Sequence, residues 1–131
     1  MIINEKGYRM TSYVAPEILK SCRSKLPPFS KETDIYSLGV LFWEISSGYP
    51  PFQNHDKDEL VFNIINGLRE VIIEDTPYDY YDLYTACWNG NPKERPIIED
   101  VYDKLKCMLL KDNEIIEDKV DIEDTEGNLL C

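Results

Sequence analysis

Two side chains far apart in the chain raise the first chemical question. Glu17, in YVAPEIL, is a carboxylate placed directly after Ala15-Pro16, and Arg95, in NPKERP, is a guanidinium placed directly before Pro96. The question is whether a distant residue answers Glu17. Charges are kept inside a fold only when they are paired and hydrogen-bonded, and breaking a buried pair costs roughly 3–5 kcal/mol. Unpaired, Glu17 is simply an acid in a helix's first turn and Arg95 a surface base. Asp34 is a second acid at a helix start, suited at least to the positive end of the helix dipole. Metal chemistry finds little material. The four cysteines, at 22, 87, 107 and 131, match no zinc spacing, and His55 is the only histidine. No G-x-G-x-x-G run is present to cradle a phosphate. Cys87 is flanked by apolar and aromatic residues and reads as a core thiol, not a nucleophile.

The elements that must position these groups are helices. Pro16 fits the first turn of a short helix, where its missing N–H costs nothing, and Pro27-Pro28 break the loop over 21–30. The stretch TDIYSLGVLFWEISSG, residues 33–48, predicts a helix capped by Thr33 and stopped by Gly48. Ile35, Leu38, Leu41, Phe42 and Ile45 recur at helical spacing, and Val40 and Trp43 add apolar surface on other sides. Such a helix is apolar nearly all round and belongs at the centre of a core, with Gly39 admitting a close neighbour. Asp56 followed by Glu59 predicts a capped helix whose stripe is Leu60, Val61, Ile64 and Ile65, ended by Gly67. Residues 68–75 read as extended or irregular, with Val71-Ile72-Ile73 a candidate short strand lacking an obvious partner. Thr76-Pro77 predicts a cap followed by a helix whose face is Tyr80, Leu83, Tyr84 and Cys87, running to Trp88. NGNP is a turn, and Pro96 opens a last helix carrying Ile97, Val101, Leu105 and Met108. Trp43 and Trp88 read as core residues. The fold expected from this pattern is all-α, built around residues 33–46. That helix has more apolar surface than four short neighbours would cover, so exposed apolar surface and self-association are expected.

The charge balance excludes some functions. A formal net charge of -11 disfavours binding to a phosphate backbone. Residues 112–126 hold eight acids against Lys119, so residues 111–131 read as an acidic, disordered tail. No apolar run approaches the length of a membrane span. The cysteines allow disulfides in an oxidising compartment, but the start is not signal-like, and free thiols in the cytoplasm are the expectation.

The motifs YVAPE (13–17), TDIYSLGVLFWE (33–44), G-x-PPF (48–52), Cys87-Trp88 and NPKERP (91–96), in this order and spacing, resemble the C-terminal lobe of a eukaryotic protein kinase domain. The likeness covers about residues 1–110 and is most similar to the tyrosine-kinase-like serine/threonine branch. It implies the helical lobe of a kinase-like fold, truncated at its N-terminus. It implies that Glu17 lies under the activation segment and pairs with Arg95. It implies that Asp34 is the family aspartate whose carboxylate accepts N–H bonds from the catalytic loop, and that Trp43 and Trp88 are family core tryptophans. Met10, Thr11, Ser12 and Tyr13 would form the loop receiving the substrate residue after the phosphorylated one. Where the family usually has Gly and Thr, six and five positions before the alanine, this chain has Arg9 and Met10, with Thr11 displaced by one step. Tyr8, Thr11, Ser12 and Tyr13 are phosphorylation candidates by the same resemblance.

Phosphoryl transfer needs a glycine-rich loop, a lysine, a catalytic aspartate and magnesium ligands. Of the kinase signature set this sequence contains Ala-Pro-Glu, and it has no H-R-D and no D-F-G. The resemblance therefore implies ATP and magnesium for an intact family member and no cofactor, catalytic residue or metal site for this chain. It implies a fragment of a serine/threonine kinase that is inactive alone. The alternatives are a non-catalytic, kinase-like module that binds a protein partner, or a degenerate fragment.

Overall fold

A computed structural model describes residues 11–21 and 29–117, with side chains through residue 113. These residues form α1 (Pro16–Lys20), α2 (Lys31–Ser47), α3 (Lys57–Ile65), α4 (Tyr78–Cys87), a 3₁₀ turn (Pro92–Glu94) and α5 (Ile98–Glu117). The architecture is all-α, with no strand among the described residues. Val71-Ile72-Ile73 therefore does not become a strand, because no second strand lies beside it among the described residues. It runs as irregular chain and offers the Val71 carbonyl to the indole N–H of Trp43 at 2.7 Å.

The long helix α2 opens earlier than its apolar rhythm suggests. Ser30 is the cap, and its side chain accepts the N–H of Thr33 while the Thr33 hydroxyl accepts the N–H of Ser30. Thr33 is thus the reciprocal partner inside the first turn rather than the cap itself, a role usually filled by Glu or Gln. Gly48 ends α2 with φ 76, a left-handed geometry that glycine adopts without a Cβ penalty. Ile35, Tyr36, Val40 and Trp43 of α2 are buried with Leu83, Tyr84, Cys87 and Trp88 of α4 and its end. Gly39 makes this crossing possible. A Cβ there would meet the Cys87 Cβ at 2.7 Å and the Tyr84 carbonyl oxygen at 2.9 Å.

A second apolar cluster joins Leu19 of α1 to Phe52, Leu60 and Ile64. Phe52 has φ 58, a left-handed conformation costing about 1–3 kcal/mol for a residue with a side chain. The surroundings impose it: its ring is buried in the cluster and its N–H donates to the Glu70 carboxylate at 2.9 Å. α1 is short, but Ile18 enters the first cluster and Leu19 the second, so it rivets the two together. Asp56 caps α3 by accepting the N–H of Asp58 at 2.9 Å.

The last two helices start one to two residues later than their prolines suggest. Pro77 is the cap of α4, and Thr76 donates its hydroxyl back to the Ile73 carbonyl at 2.6 Å. Arg95 is extended, as a residue before proline must be, and the helical pattern of α5 begins with the Val101 N–H bonded to the Ile97 carbonyl at 3.1 Å. α5 lays Val101, Leu105 and Met108 on the first cluster and continues past Lys111 to Glu117. Residues 118–131, the remainder of the expected tail, lie outside the described residues. Cys87 is a buried free thiol, and Cys22 and Cys131 lie outside the described residues. No helix among the described residues is long and apolar enough to cross a membrane.

Candidate functional site

The groups singled out by spacing converge on Arg95. Its guanidinium donates from Nη1 to Glu17 Oε2 at 2.7 Å and from Nη2 to Glu17 Oε1 at 2.8 Å. Nε donates to the Asn89 carbonyl at 2.8 Å, and Nη1 also donates to the Glu32 carbonyl at 2.9 Å. One side chain thereby ties α1, the first turn of α2 and the loop after α4. The Arg95 side chain is 0% exposed and that of Glu17 30%. Burial pushes the Glu17 carboxyl up, but the hydrogen bonds and charge of Arg95 outweigh it and hold the group below the usual carboxylate range.

Beneath the clasp lies Tyr36, fully buried. Arg95 sits 5.1 Å from the centre of its ring, and Arg69 also sits 5.1 Å from it. Cations over an aromatic face are attracted by its quadrupole, more strongly when water is excluded. Arg69 is fixed in turn by donating to the carbonyls of Trp88 at 2.9 Å and Leu68 at 2.7 Å. The Tyr36 hydroxyl has no hydrogen-bond partner among the described residues, so among them the ring rather than the hydroxyl does the holding. Neither Arg69 nor Tyr36 stands out from spacing. Arg69 falls in the irregular stretch after α3, and Tyr36 reads as one more apolar position of α2.

The segment before α1 is anchored along α2. The Ser37 hydroxyl donates to the Tyr13 carbonyl at 2.7 Å, and the Tyr13 hydroxyl donates to the Glu44 carboxylate. Burial, then the hydrogen bond to Glu44 and its negative charge, push the Tyr13 hydroxyl up to about 12, so it remains a donor. Ser12 is buried and Thr11 half-buried, while Met10 lies outside the described residues. Asp34 stands apart. It is exposed in the first turn of α2; its N–H donates to the Ser30 carbonyl at 3.3 Å, and its carboxylate makes no hydrogen bond or ion pair with a described residue. Trp43 and Trp88 are buried in the first cluster, as is Cys87, whose thiol burial pushes up to about 11.

Among the described residues no three His, Cys, Asp or Glu side chains gather as metal ligands. With no glycine-rich loop in the sequence either, the residues present do not fit a magnesium nucleotide. What they form is a carboxylate-guanidinium clasp that ties α1 to the first turn of α2 and to the loop after α4.

Residues 3–105 match the protein tyrosine and serine/threonine kinase family. The chain is 35% identical over 103 residues to the probable serine/threonine-protein kinase gdt4 of Dictyostelium discoideum, covering 77% of this chain and 6% of that protein. It is 31% identical over 94 residues to a probable LIM domain-containing serine/threonine-protein kinase of the same organism, covering 72% of this chain and 14% of the relative. It is 30% identical over 100 residues to the dual specificity protein kinase shkD, also of Dictyostelium discoideum, covering 75% of this chain and 13% of that protein. The chain belongs to the protein tyrosine and serine/threonine kinase family, and it spans a small part of the length of these relatives.

Proposed function

We propose that residues 1–110 are the closing part of a protein kinase catalytic domain, from the end of the activation segment through the last helices of the lobe, and that residues 111–131 are an acidic tail. In an intact parent this lobe presents Met10, Thr11, Ser12 and Tyr13 to a protein substrate, in the cytoplasm. Other segments bind ATP and magnesium and transfer the terminal phosphate to serine or threonine. The 131-residue chain alone transfers none, because it has neither the phosphate cradle nor the aspartates the reaction needs.

The observation that carries this reading is the four-bond arrangement of Arg95 with Glu17, Glu32 and Asn89. The bonds of Tyr13 to Ser37 and Glu44 support the same reading, since they tie the end of the proposed substrate loop to α2. Rigid placement of a substrate segment is one of the two things a phosphotransferase supplies, the other being electrostatic stabilisation.

The test has two arms. The purified chain, incubated with labelled ATP, magnesium and a general serine/threonine substrate, is expected to incorporate no label, and incorporation above a heat-treated control would overturn the reading. In a chimaera in which residues 3–105 replace the matched segment of an active serine/threonine kinase, transfer is expected to persist. A folded but inactive chimaera would refute the proposed role of the lobe.

A further inference from the structure

The segment between α3 and α4 holds a Thr-Pro pair that the clasp does not use. Thr76-Pro77 is the only place in the sequence where a serine or threonine directly precedes a proline. The segment is anchored on both sides. The Val71 carbonyl accepts the Trp43 indole N–H at 2.7 Å, and the Pro77 carbonyl accepts the N–H groups of Tyr80 and Tyr81 at 3.1 Å. Between these anchors a turn over 73–76 closes on one acceptor. The Ile73 carbonyl takes the Thr76 N–H at 3.1 Å and the Thr76 hydroxyl at 2.6 Å. Inside the turn Asp75 has φ 68, a left-handed conformation that a residue with a side chain keeps only when its surroundings impose it. Glu74, Asp75, Pro77 and Asp79 are exposed and Thr76 is half-buried, with its hydroxyl bond at the surface.

We infer that Thr76 is a phosphorylation site for a separate, proline-directed serine/threonine kinase, and that the phosphate opens the strained turn before α4. The recognition is chemical. Proline fixes its own φ and has no N–H, so a peptide cleft with no acceptor at the position after the hydroxyl penalises other residues there and accepts Pro77. In the transfer step the Thr76 Oγ attacks the terminal phosphorus of ATP, the bond from that phosphorus to the bridging oxygen breaks, and ADP leaves. The hydroxyl proton passes to the catalytic aspartate of the modifying kinase. The product has lost the donor that held the Ile73 carbonyl at 2.6 Å. It has gained about two negative charges in a cavity also lined by Glu74, Asp75 and Asp79. Lys111 lines the same cavity but is already matched by Asp79 at 3.1 Å. A phosphate set among acids disrupts by like-charge repulsion, and a turn holding a left-handed Asp75 has strain to release. The anchors at Val71 and Pro77 confine the opening to the residues between them. Neither Thr76 nor Pro77 belongs to the Arg95 clasp or to residues 10–13, so the inference stands or falls independently of the proposed catalytic parentage.

Incubating the full chain with a proline-directed serine/threonine kinase, ATP and magnesium, then locating phosphate by fragmentation mass spectrometry, tests the site. One phosphate is expected, on Thr76, and none when the added kinase is omitted. Pro77→Ala should lower its incorporation by about tenfold or more, and Thr76→Val should abolish it. Far-UV circular dichroism of both variants should match that of the parent, since Pro77 is exposed and valine keeps the shape of threonine. Amide hydrogen exchange then tests the consequence. In the phosphorylated chain residues 72–76 should exchange about tenfold faster than in the unmodified one, with α2 and α4 unchanged. A folded chain that takes no phosphate at Thr76 would overturn the inference, whether or not a free peptide of residues 70–82 takes it. Undiminished modification of Pro77→Ala would overturn the proline-directed assignment. Equal exchange of residues 72–76 with and without the phosphate would overturn the opening of the turn.

Discussion

The two ends of α2 handle the same kinds of residue in opposite ways. Near its start, Tyr36 and the Arg95 clasp gather charged and aromatic groups out of water, and four guanidinium bonds find acceptors on three segments. Near its end, Leu41 and Ile45 stand 44% and 73% exposed, above acids that pair with nothing described except Lys111. The contrast separates groups satisfied within the fold from groups left in water. A charge that is buried must be satisfied internally or it costs several kcal/mol. A charge left in water costs the fold almost nothing.

The largest expected effect comes from removing the guanidinium. Arg95→Met strands the Glu17 carboxylate and leaves the carbonyls of Glu32 and Asn89 without their donor. The loss should be about 3 kcal/mol, the lower part of the range for broken buried pairs, because water still reaches Glu17. Urea unfolding measures it. At the midpoint of α2, Gly39→Ala sharpens the contrast, since its Cβ would press on Cys87 and the Tyr84 carbonyl. Overpacking of this kind should cost about 2 kcal/mol despite alanine's better helix propensity, read as a lower thermal midpoint.

Acid should expose the clasp selectively. The Glu17 carboxyl is held below its ordinary value of 4.5 in the folded chain. Its contribution is therefore fully present above that pH and disappears as pH falls through the lower folded value. The parent should lose more stability than Glu17→Gln between about pH 5 and pH 3, and parallel losses in the two proteins would remove the electrostatic account. The smallest effect belongs to the open end. Ile45→Thr should change stability by no more than about 0.5 kcal/mol, as expected of an exposed position. A loss comparable to that of Gly39→Ala would mean that the α2 end is covered after all.

Much of this was legible in the sequence, and for physical reasons. The stop at Gly48, the close approach at Gly39 and the cap at Asp56 are dictated by a single residue's backbone or side chain, so they can be read locally. The start of α2 was misread because Thr33, a good cap, acts here as the partner of a better-placed one, Ser30. Val71-Ile72-Ile73 has strand-forming residues, yet a strand needs a neighbour, and none is provided among the described residues. The pairing of Glu17 with Arg95 was suggested by the order of motifs rather than by any local rule. The stack of Arg69 and Arg95 on Tyr36 could not be seen, because nothing in their spacing marks three side chains that meet only after α1, α2 and the loops around α4 have packed. The bareness of Ile45 was foreseeable only as an excess of apolar surface on a helix with few neighbours, without saying which face would remain open.

The central claim is that Glu17 and Arg95 act as one structural unit joining α1 to α2 and to the loop after α4. A double-mutant cycle of Glu17→Gln and Arg95→Met, followed by urea unfolding, tests it most directly. The account predicts a coupling energy of about 1–2 kcal/mol. Additivity of the two losses within about 0.5 kcal/mol would contradict it.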